Sequence, residues 1–325
     1  MKLRQLDLNK EVFLMKVGKR ILLFVTVNIL IVATLSIALN FLGIRPYLDA
    51  KGIDYTSLIL FCSVWGFGGA FLSLAMSRTM AKWMTGVKVI DPVTTDPHMA
   101  KLVYKVHELA KKAGLETMPE VGIYEGDEIN AFATGPTKSR SLVAVSSGLL
   151  QQMDGNEVEG VLAHEVAHIA NGDMVTMTLV QGVVNSLVMF LARLAGFFAS
   201  QFVAEERRPM VQFGVILAVE IALGVLGMIV VSAFSRRREY RADLGGAQLS
   251  SRDSMIAALE RLKLNSQIQD TEGQPSMAAL KISGKASGFL RLFATHPDLD
   301  DRISRLKAYR SELRPTGLGR NALYA

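Results

Sequence analysis

Two histidines and a glutamate stand within five consecutive residues, in the run His164-Glu165-Val166-Ala167-His168. In an α-helix, residues four apart project from one face, one turn from each other, so His164 and His168 can bind a single ion. Glu165 lies about a quarter turn away, close enough to reach another ligand of that ion. This arrangement is typical of zinc proteases, in which the glutamate is the general base. The alternative is a pair of surface histidines beside a core carboxylate, which would be costly without a cation.

A catalytic zinc ion needs a third protein ligand and keeps a fourth position for water. Met174 stands six residues after His168, where one common pattern has another histidine. The run SRRREYRAD, residues 235–243, offers Glu239 and Asp243, which are four apart and share a helical face. We interpret Glu239 as the third ligand and Asp243 as an acceptor for a histidine N–H. Alternatively, both carboxylates pair with the neighbouring arginines on a solvated face.

Long apolar segments surround these motifs, and half of the 325 residues are hydrophobic. The segments are residues 21–44, 57–76, 174–192 and 210–234. The first two are uncharged and long enough to cross a hydrocarbon core, which needs roughly 20 helical residues. Arg193 follows the third segment and Glu220 interrupts the fourth, so these two either span the bilayer or form a shallower hairpin. We predict an uncleaved anchor in the first segment, because its apolar run is too long for a signal peptide.

The distribution of lysine and arginine predicts the orientation of these segments. Residues 1–20 carry six such residues and the 45–56 loop carries two, and more follow the second and fourth segments. The N-terminus, residues 77–173 and the region after 235 are therefore predicted to face the cytoplasm. This bias explains the net charge of +6 without a nucleic-acid partner, since no basic-aromatic stripe occurs. The single cysteine, Cys62, excludes a disulfide framework and suits a reducing compartment.

The polar regions read as helices with a few short strands. We predict a helix over 96–114, capped by Asp96, and strands over 120–124, 129–134 and 141–147. Asn156 and Glu159 fit a capping box for the helix that carries the histidines. That helix is expected to continue through Gly172 and Asp173 into the third apolar segment. Further helices are predicted over 239–264 and 298–312, and His98 and His107 are interpreted as structural or solvated.

Four runs together resemble the HtpX membrane metalloproteases, gluzincin relatives of the CAAX prenyl protease. They are AHEVAHIANGDMV, SRRREYRAD, NAFATG and THPDLDDRI, and the resemblance covers nearly the whole chain. It implies a zinc endopeptidase, with one ion, that cleaves membrane proteins in quality control in a bacterial-type cytoplasmic membrane. By the resemblance, His164, His168 and Glu239 match the zinc ligands. Glu165 matches the catalytic glutamate and Asp243 the supporting aspartate.

The expected fold class is α+β, mainly α, with four transmembrane or membrane-embedded helices and a zincin-like cytoplasmic catalytic domain with a small sheet. The predicted parts are an anchor (1–76), two pieces of catalytic domain (77–173 and 235–325) and a membrane hairpin between them (174–234).

Further residues are candidates for contact with the substrate. His296 and Tyr240 are candidate donors to the oxyanion of the tetrahedral intermediate, and the alternative for His296 is a helix cap before Pro297. Asn130, Ala131 and Phe132 are predicted to form an edge strand that pairs with an extended membrane-protein or unfolded polypeptide substrate. The alternative is an ordinary buried strand.

Other functions remain as alternatives at this point. One is a CAAX-type or intramembrane processing protease, although the polar run QQMDGNEVEG immediately before the motif places the histidines near the membrane surface. Another is a membrane adaptor or transporter with a structural zinc site, which would be closed by four protein ligands.

Overall fold

The computed structural model describes residues 55–271 and 290–309, so the apolar segment 21–44 lies outside the described residues. The described part is mainly helical with one small sheet. Its helices are α1 (Tyr55–Thr85), α2 (Pro97–Lys112), α3 (Ser147–Gln152), α4 (Gly155–Asn171), α5 (Asp173–Ser200), α6 (Arg208–Leu249), α7 (Arg252–Thr271) and α8 (Leu299–Ala308). Its strands are β1 (Lys88–Val89), β2 (Glu120–Tyr124), β3 (Ala131–Thr134) and β4 (Leu142–Ser146). Short 3-10 turns cover Lys138–Arg140, Glu205–Arg207 and Leu290–Leu292.

Helix α2 forms where the sequence predicts it. The Asp96 side chain accepts hydrogen bonds from the backbone N–H groups of His98 and Met99, and Pro97 occupies the first turn. Val106 and Leu109 on its inner face are completely buried in the main hydrophobic core. His107 hydrogen-bonds to the carbonyl of Pro119, which agrees with a structural role.

The sheet has the strand order β1-β2-β4-β3. Strands β2 and β4 are parallel, and the other two pairs are antiparallel. Strand β4 is buried along its whole length, whereas every residue of β3 is half-buried. The three predicted strands are confirmed, and β3 lies at one edge of the described sheet, next to helix α4.

Helix α4 carries the two histidines, and its start differs from the prediction by two residues. Asp154 is the N-cap: its carboxylate accepts from the N–H groups of Asn156 and Glu157, and Glu157 accepts from the N–H of Asp154. The expected box of Asn156 with Glu159 is therefore wrong, because the earlier aspartate captures the free N–H groups. Glu159 instead pairs with Lys105 of α2.

The predicted continuous helix through Gly172 is also wrong. Helix α4 ends at Asn171, and Gly172 takes the left-handed conformation with φ 70°. Its N–H bonds back to the carbonyls of His168 and Ile169, which closes the last turn. Helix α5 then begins afresh at Asp173, so the chain changes direction between the histidines and the apolar segment.

Three described helices are long and apolar enough to cross a membrane: Ser57–Thr85, Asp173–Ser200 and Glu205–Leu249. Helices α5 and α6 pack along each other, and α1 packs against α5. Glycine allows close approach there, since a Cβ on Gly66 of α1 would clash with Ser186 of α5. Arg193 of α5 pairs with Glu220 of α6 at 3.0 Å, so the charges that interrupt the apolar segments neutralise each other.

Helix α6 passes from the apolar segment into the polar region without a break. Its 42 residues place Glu239 and Asp243 on the same rigid element as the segment 210–234. The helix expected over 239–264 is wrong in its bounds, because the chain breaks at Ser250 and α7 begins at Arg252. The helix expected over 298–312 is shorter, with Asp298 as its N-cap.

Candidate metal centre

The structure brings His164, His168 and Glu239 together. The two histidine Nε2 atoms lie 3.1 Å apart. Nε2 of His164 is 3.5 Å from Oε2 of Glu239, and Nε2 of His168 is 3.3 Å from Oε1. All three residues are buried, and within the described ranges they form a group whose ligand atoms all lie within 4.8 Å of one another. Two histidines from α4 and one carboxylate from α6 therefore face one point.

Behind His164 lies a buried ion pair. Asp243, one turn after Glu239 on α6, places its Oδ1 3.1 Å from Nδ1 of His164. Arg302 of α8 donates from Nε and Nη2 to the two oxygens of Asp243, at 2.8 and 2.6 Å. Because Asp243 lies on the Nδ1 side of the ring, Nε2 of His164 faces Glu239 and the second histidine.

Behind His168 lies a second aspartate, which the sequence reasoning missed in this role. Oδ2 of Asp173, the first residue of α5, is 2.6 Å from Nδ1 of His168. Nη2 of Arg241 donates to the other oxygen, Oδ1, also at 2.6 Å. The Nε2 of His168 is thus directed towards the same point as the Nε2 of His164.

This donor set suits a zinc ion. Bonds of about 2.0–2.1 Å at tetrahedral angles keep donors roughly 3.3 Å apart, and the three observed separations are 3.1, 3.3 and 3.5 Å. Burial lowers the pKa of His164, but hydrogen bonds to Asp243 and Glu239 outweigh burial and raise it to about 9. Two histidines and a carboxylate in this arrangement can bind a cation, which then replaces the protons on the ring nitrogens.

Glu165 projects beside this group without being tied to it. Its side chain is half-buried, and it forms no hydrogen bond or ion pair with any residue of the described ranges. It is close enough to His168 and Arg302 to affect their pKa values electrostatically. A carboxylate that is near three converging ligands and has no partner among the described residues is suited to exchange a proton with a bound molecule.

His296 reaches the site from the segment before α8. Its Nδ1 lies 2.8 Å from Oε2 of Glu239, and its side chain is 37% exposed. Nη1 of Arg236 donates to the carbonyls of residues 291, 292 and 294, so α6 holds this segment in place. The alternative of a helix-capping histidine is wrong, because Asp298 caps α8.

Tyr240 contacts a different part of the protein. Its ring lies against the guanidinium of Arg305, 3.9 Å from the ring centroid. No hydrogen bond joins Tyr240 to the converging residues within the ranges described. Tyr240 thus packs on Arg305, whereas His296 is the candidate donor in contact with a ligand; the oxyanion role of either stays a prediction.

The predicted substrate strand lies beside the motif helix. Ala131 and Phe132 belong to β3, and Asn130 directly precedes it. One side of β3 pairs with β4, and the other side carries no strand in the described sheet. Lys138, just after β3, donates to the carbonyl of Ala170 near the end of α4, which ties the strand to that helix.

Three residues of the site carried little signal in the sequence. Asp173 stands five residues after His168, which is not a helical spacing, and only the break at Gly172 turns it back. Arg241 and Arg302 are ordinary members of charged runs. Their partners lie 68 and 59 residues away along the chain, beyond the reach of any local pattern.

Comparison with known proteins relates the chain to a family of peptidases. The family described as Peptidase family M48 matches residues 98–310. The chain is 53% identical to "Protease HtpX homolog" of Bacillus pumilus over 302 residues, which covers 90% of this chain and 99% of that protein. The proteins of the same description from Bacillus subtilis and Nitrosomonas europaea are 53% and 47% identical. They cover 90% and 89% of this chain and 99% of each relative.

A solved structure shares the fold. The crystal structure of S. mikatae Ste24p superposes with a TM-score of 0.58 at 19% sequence identity. The match covers 85% of this chain and 64% of that chain, so the present chain spans less than two thirds of the larger protein. At this identity the likeness establishes the fold alone.

Proposed function

Because the chain belongs to peptidase family M48, a family of metallopeptidases, we propose that it is a membrane-bound endopeptidase with one zinc ion held by His164, His168 and Glu239. The observation that carries this proposal is the convergence of three buried ligand atoms beside Glu165, a carboxylate without a partner in the described part of the chain. Catalytic zinc sites have three protein ligands and an open position, whereas structural sites are usually closed by four. Three converging ligands favour an enzyme over a membrane adaptor or transporter.

Each residue around the site has a separate role in peptide hydrolysis. Zinc, when bound, supplies a Lewis acid that polarises the scissile carbonyl and acidifies water. Glu165 accepts a proton from the attacking water and passes it to the nitrogen of the leaving amine. In its doubly protonated form, His296 donates from Nδ1 to Glu239 and can donate from Nε2 to the oxyanion. Asp243 and Asp173 hold the two histidine rings in place.

The substrate is an extended polypeptide that adds a strand to β3, on the side that carries no strand in the described sheet. Backbone pairing along residues 130–132 binds the main chain without selecting a sequence, which suits membrane-protein or unfolded substrates. The ligands lie next to Asp173, the first residue of a helix that is apolar enough to span a bilayer. This proximity supports hydrolysis at the membrane surface over cleavage within the bilayer.

We assign this surface to the cytoplasmic side of a bacterial-type cytoplasmic membrane. The support is the excess of lysine and arginine near the ends of the apolar segments on the side of the site. An enzyme in this place that accepts unfolded chains suits quality control of membrane proteins.

The variant Glu165→Gln tests the proposal. Glu165 bonds to no described side chain, so the substitution leaves the fold and the zinc ligands intact. Loss of a general base is expected to lower kcat by about 10²–10⁴-fold. The assay follows cleavage of a fluorescently labelled, denatured protein by the full-length enzyme in detergent, with zinc content measured on the same sample.

A matched control is Glu159→Gln on the same helix, where the carboxylate pairs with Lys105 away from the ligands. This variant should retain wild-type kcat. Undiminished cleavage by Glu165→Gln, with one zinc ion still bound, would show that the protein is not a protease of this kind.

A further inference from the structure

Asp173 is completely buried, and each of its two carboxylate oxygens contacts a polar side chain. It starts α5 directly after Gly172, whose left-handed backbone turns the chain back towards the end of α4. One oxygen is 2.6 Å from Nδ1 of His168, and the other is 2.6 Å from Nη2 of Arg241. The guanidinium of Arg241 is half exposed at the outer end of this chain of contacts.

A buried carboxylate of this kind needs a reason, because removing a charge from water is costly unless it is paired. To bind a cation through Nε2, the His168 ring must be neutral. A neutral ring cannot balance the negative charge of Asp173. Arg241 supplies the missing positive charge from α6. One oxygen of the carboxylate accepts from Arg241, and the other is placed to accept the N–H of the histidine.

A second pair of the same kind lies behind the other histidine. Asp243 is held by Arg302 and faces His164, as Asp173 is held by Arg241 and faces His168. The two pairs differ in which elements they join. The Asp243 pair links α6 to α8. The Asp173 pair links the N-terminus of α5 to α6, and α5 and α6 are the two helices of the apolar hairpin.

We propose that Asp173, held by Arg241, is a positioning residue for His168, so that zinc affinity depends on the closed junction between helices α5 and α6. The inference rests on the proposed zinc site. Arg241 stands two residues after Glu239 on one continuous helix, so a shift of α6 against α5 moves a ligand and the support of another ligand together. The junction thereby couples the hairpin to the metal site.

The test is the zinc dissociation constant of full-length protein in detergent, measured by competition with a chelating dye. Asp173→Asn keeps the size of the side chain and removes the charge. Loss of such an outer-shell partner is expected to weaken zinc binding by about 10–100-fold. Arg241→Met should weaken it as well, and the double variant should be no weaker than Asp173→Asn alone, since Arg241 acts through Asp173.

A matched control is Arg252→Met, which removes an arginine from an exposed pair with Asp253. Its zinc affinity should equal that of the wild type. Absorption spectra of the cobalt-substituted proteins give a second readout, because a shifted His168 ring changes the cobalt bands whereas a lost surface contact does not. Unfolding of the metal-free variants shows whether each one is folded before metal is added.

The outcomes separate the inference from the function. If wild-type protein binds no zinc, or His168→Ala binds it normally, the zinc site itself is wrong. If wild type binds one ion and Asp173→Asn binds it within twofold, the positioning role is refuted and the protease proposal stands. Should Asp173→Asn fail to fold, Arg241→Met decides, because its half-exposed side chain can be replaced with little loss of packing. Additive losses in the double variant would also refute the proposed chain of contacts.

Discussion

The variant Arg302→Met removes the guanidinium that pairs with Asp243, behind His164, and lies close to the ligand Glu239. Arg302 is 6% exposed and donates twice to Asp243, which is itself 2% exposed. Its Nη1 also lies 3.8 Å from Oε2 of Glu239. Methionine has a similar length but no charge, so two buried carboxylates would lose their common positive neighbour.

The expected cost follows from this burial. Removing one partner of a buried, hydrogen-bonded ion pair destabilises a protein by about 3–5 kcal/mol, because the other charge stays buried without compensation. For a chain of 325 residues, an unfolding entropy of about 2.1 cal/mol/K per residue makes that a decrease in Tm of roughly 4–7 °C. The assay is thermal unfolding of full-length protein in detergent with a chelator present, so that lost zinc binding does not contribute.

A matched control is Arg305→Met, one turn later on α8. Arg305 is exposed and lies on the ring of Tyr240, a contact worth about 0.5–1 kcal/mol. The double variant Asp243→Asn/Arg302→Met removes both charges and should recover at least half of the loss. A Tm of Arg302→Met within about 3 °C of the wild type, or a double variant as unstable as the sum of the single ones, would refute this account.

Three further predictions concern the helix junction, the apolar helices and the metal ligands. Gly172→Ala should lower the free energy of unfolding by about 1–2 kcal/mol, because residue 172 has a φ of 70°. Its control is Gly155→Ala, where the added Cβ meets open space and the same thermal assay should show no change. Arg193→Met should be less stable than Arg193→Met/Glu220→Gln in lipid nanodiscs, since an unpaired charge in a membrane helix costs about 2.5–3.5 kcal/mol; equal stabilities would contradict this. Zinc affinity, measured by chelator competition, should fall as the pH decreases from 9 to 6, because the pKa of His164 is about 9 and the ion must displace its proton. In the metal-free protein the same raised pKa adds stability that is complete below about pH 6.5 and is lost as the pH rises through about 9.

Local patterns determined much of this protein. The spacing of His164 and His168 places both rings on one helical face, because helical geometry relates residues four apart whatever surrounds them. Asp96 predicted the start of α2, and short apolar runs between turn residues predicted the strands of the sheet. Glu239 could be proposed as a partner of the histidines, since it follows an apolar run long enough to bring the chain back to the same side.

Competing local signals produced the errors. Two capping boxes were possible at the start of α4, and Asp154 prevailed over Asn156 because it stands where the first free N–H groups are. The apolar residues after Asn171 suggested one continuous helix, but a glycine can end a helix at no steric cost. The pattern of side chains does not show whether a glycine continues a helix or takes the left-handed conformation that ends it.

Tertiary structure alone decided what lies behind the ligands. The sequence by itself determined which residues can bind a metal ion, because residue type and helical spacing are local properties. It did not determine that Asp173 turns back to His168, or that Arg241 and Arg302 neutralise the two aspartates. Those contacts depend on how α5, α6 and α8 pack around α4. Each arginine is some sixty residues from its aspartate along the chain, so the pairing can be identified only in the folded structure.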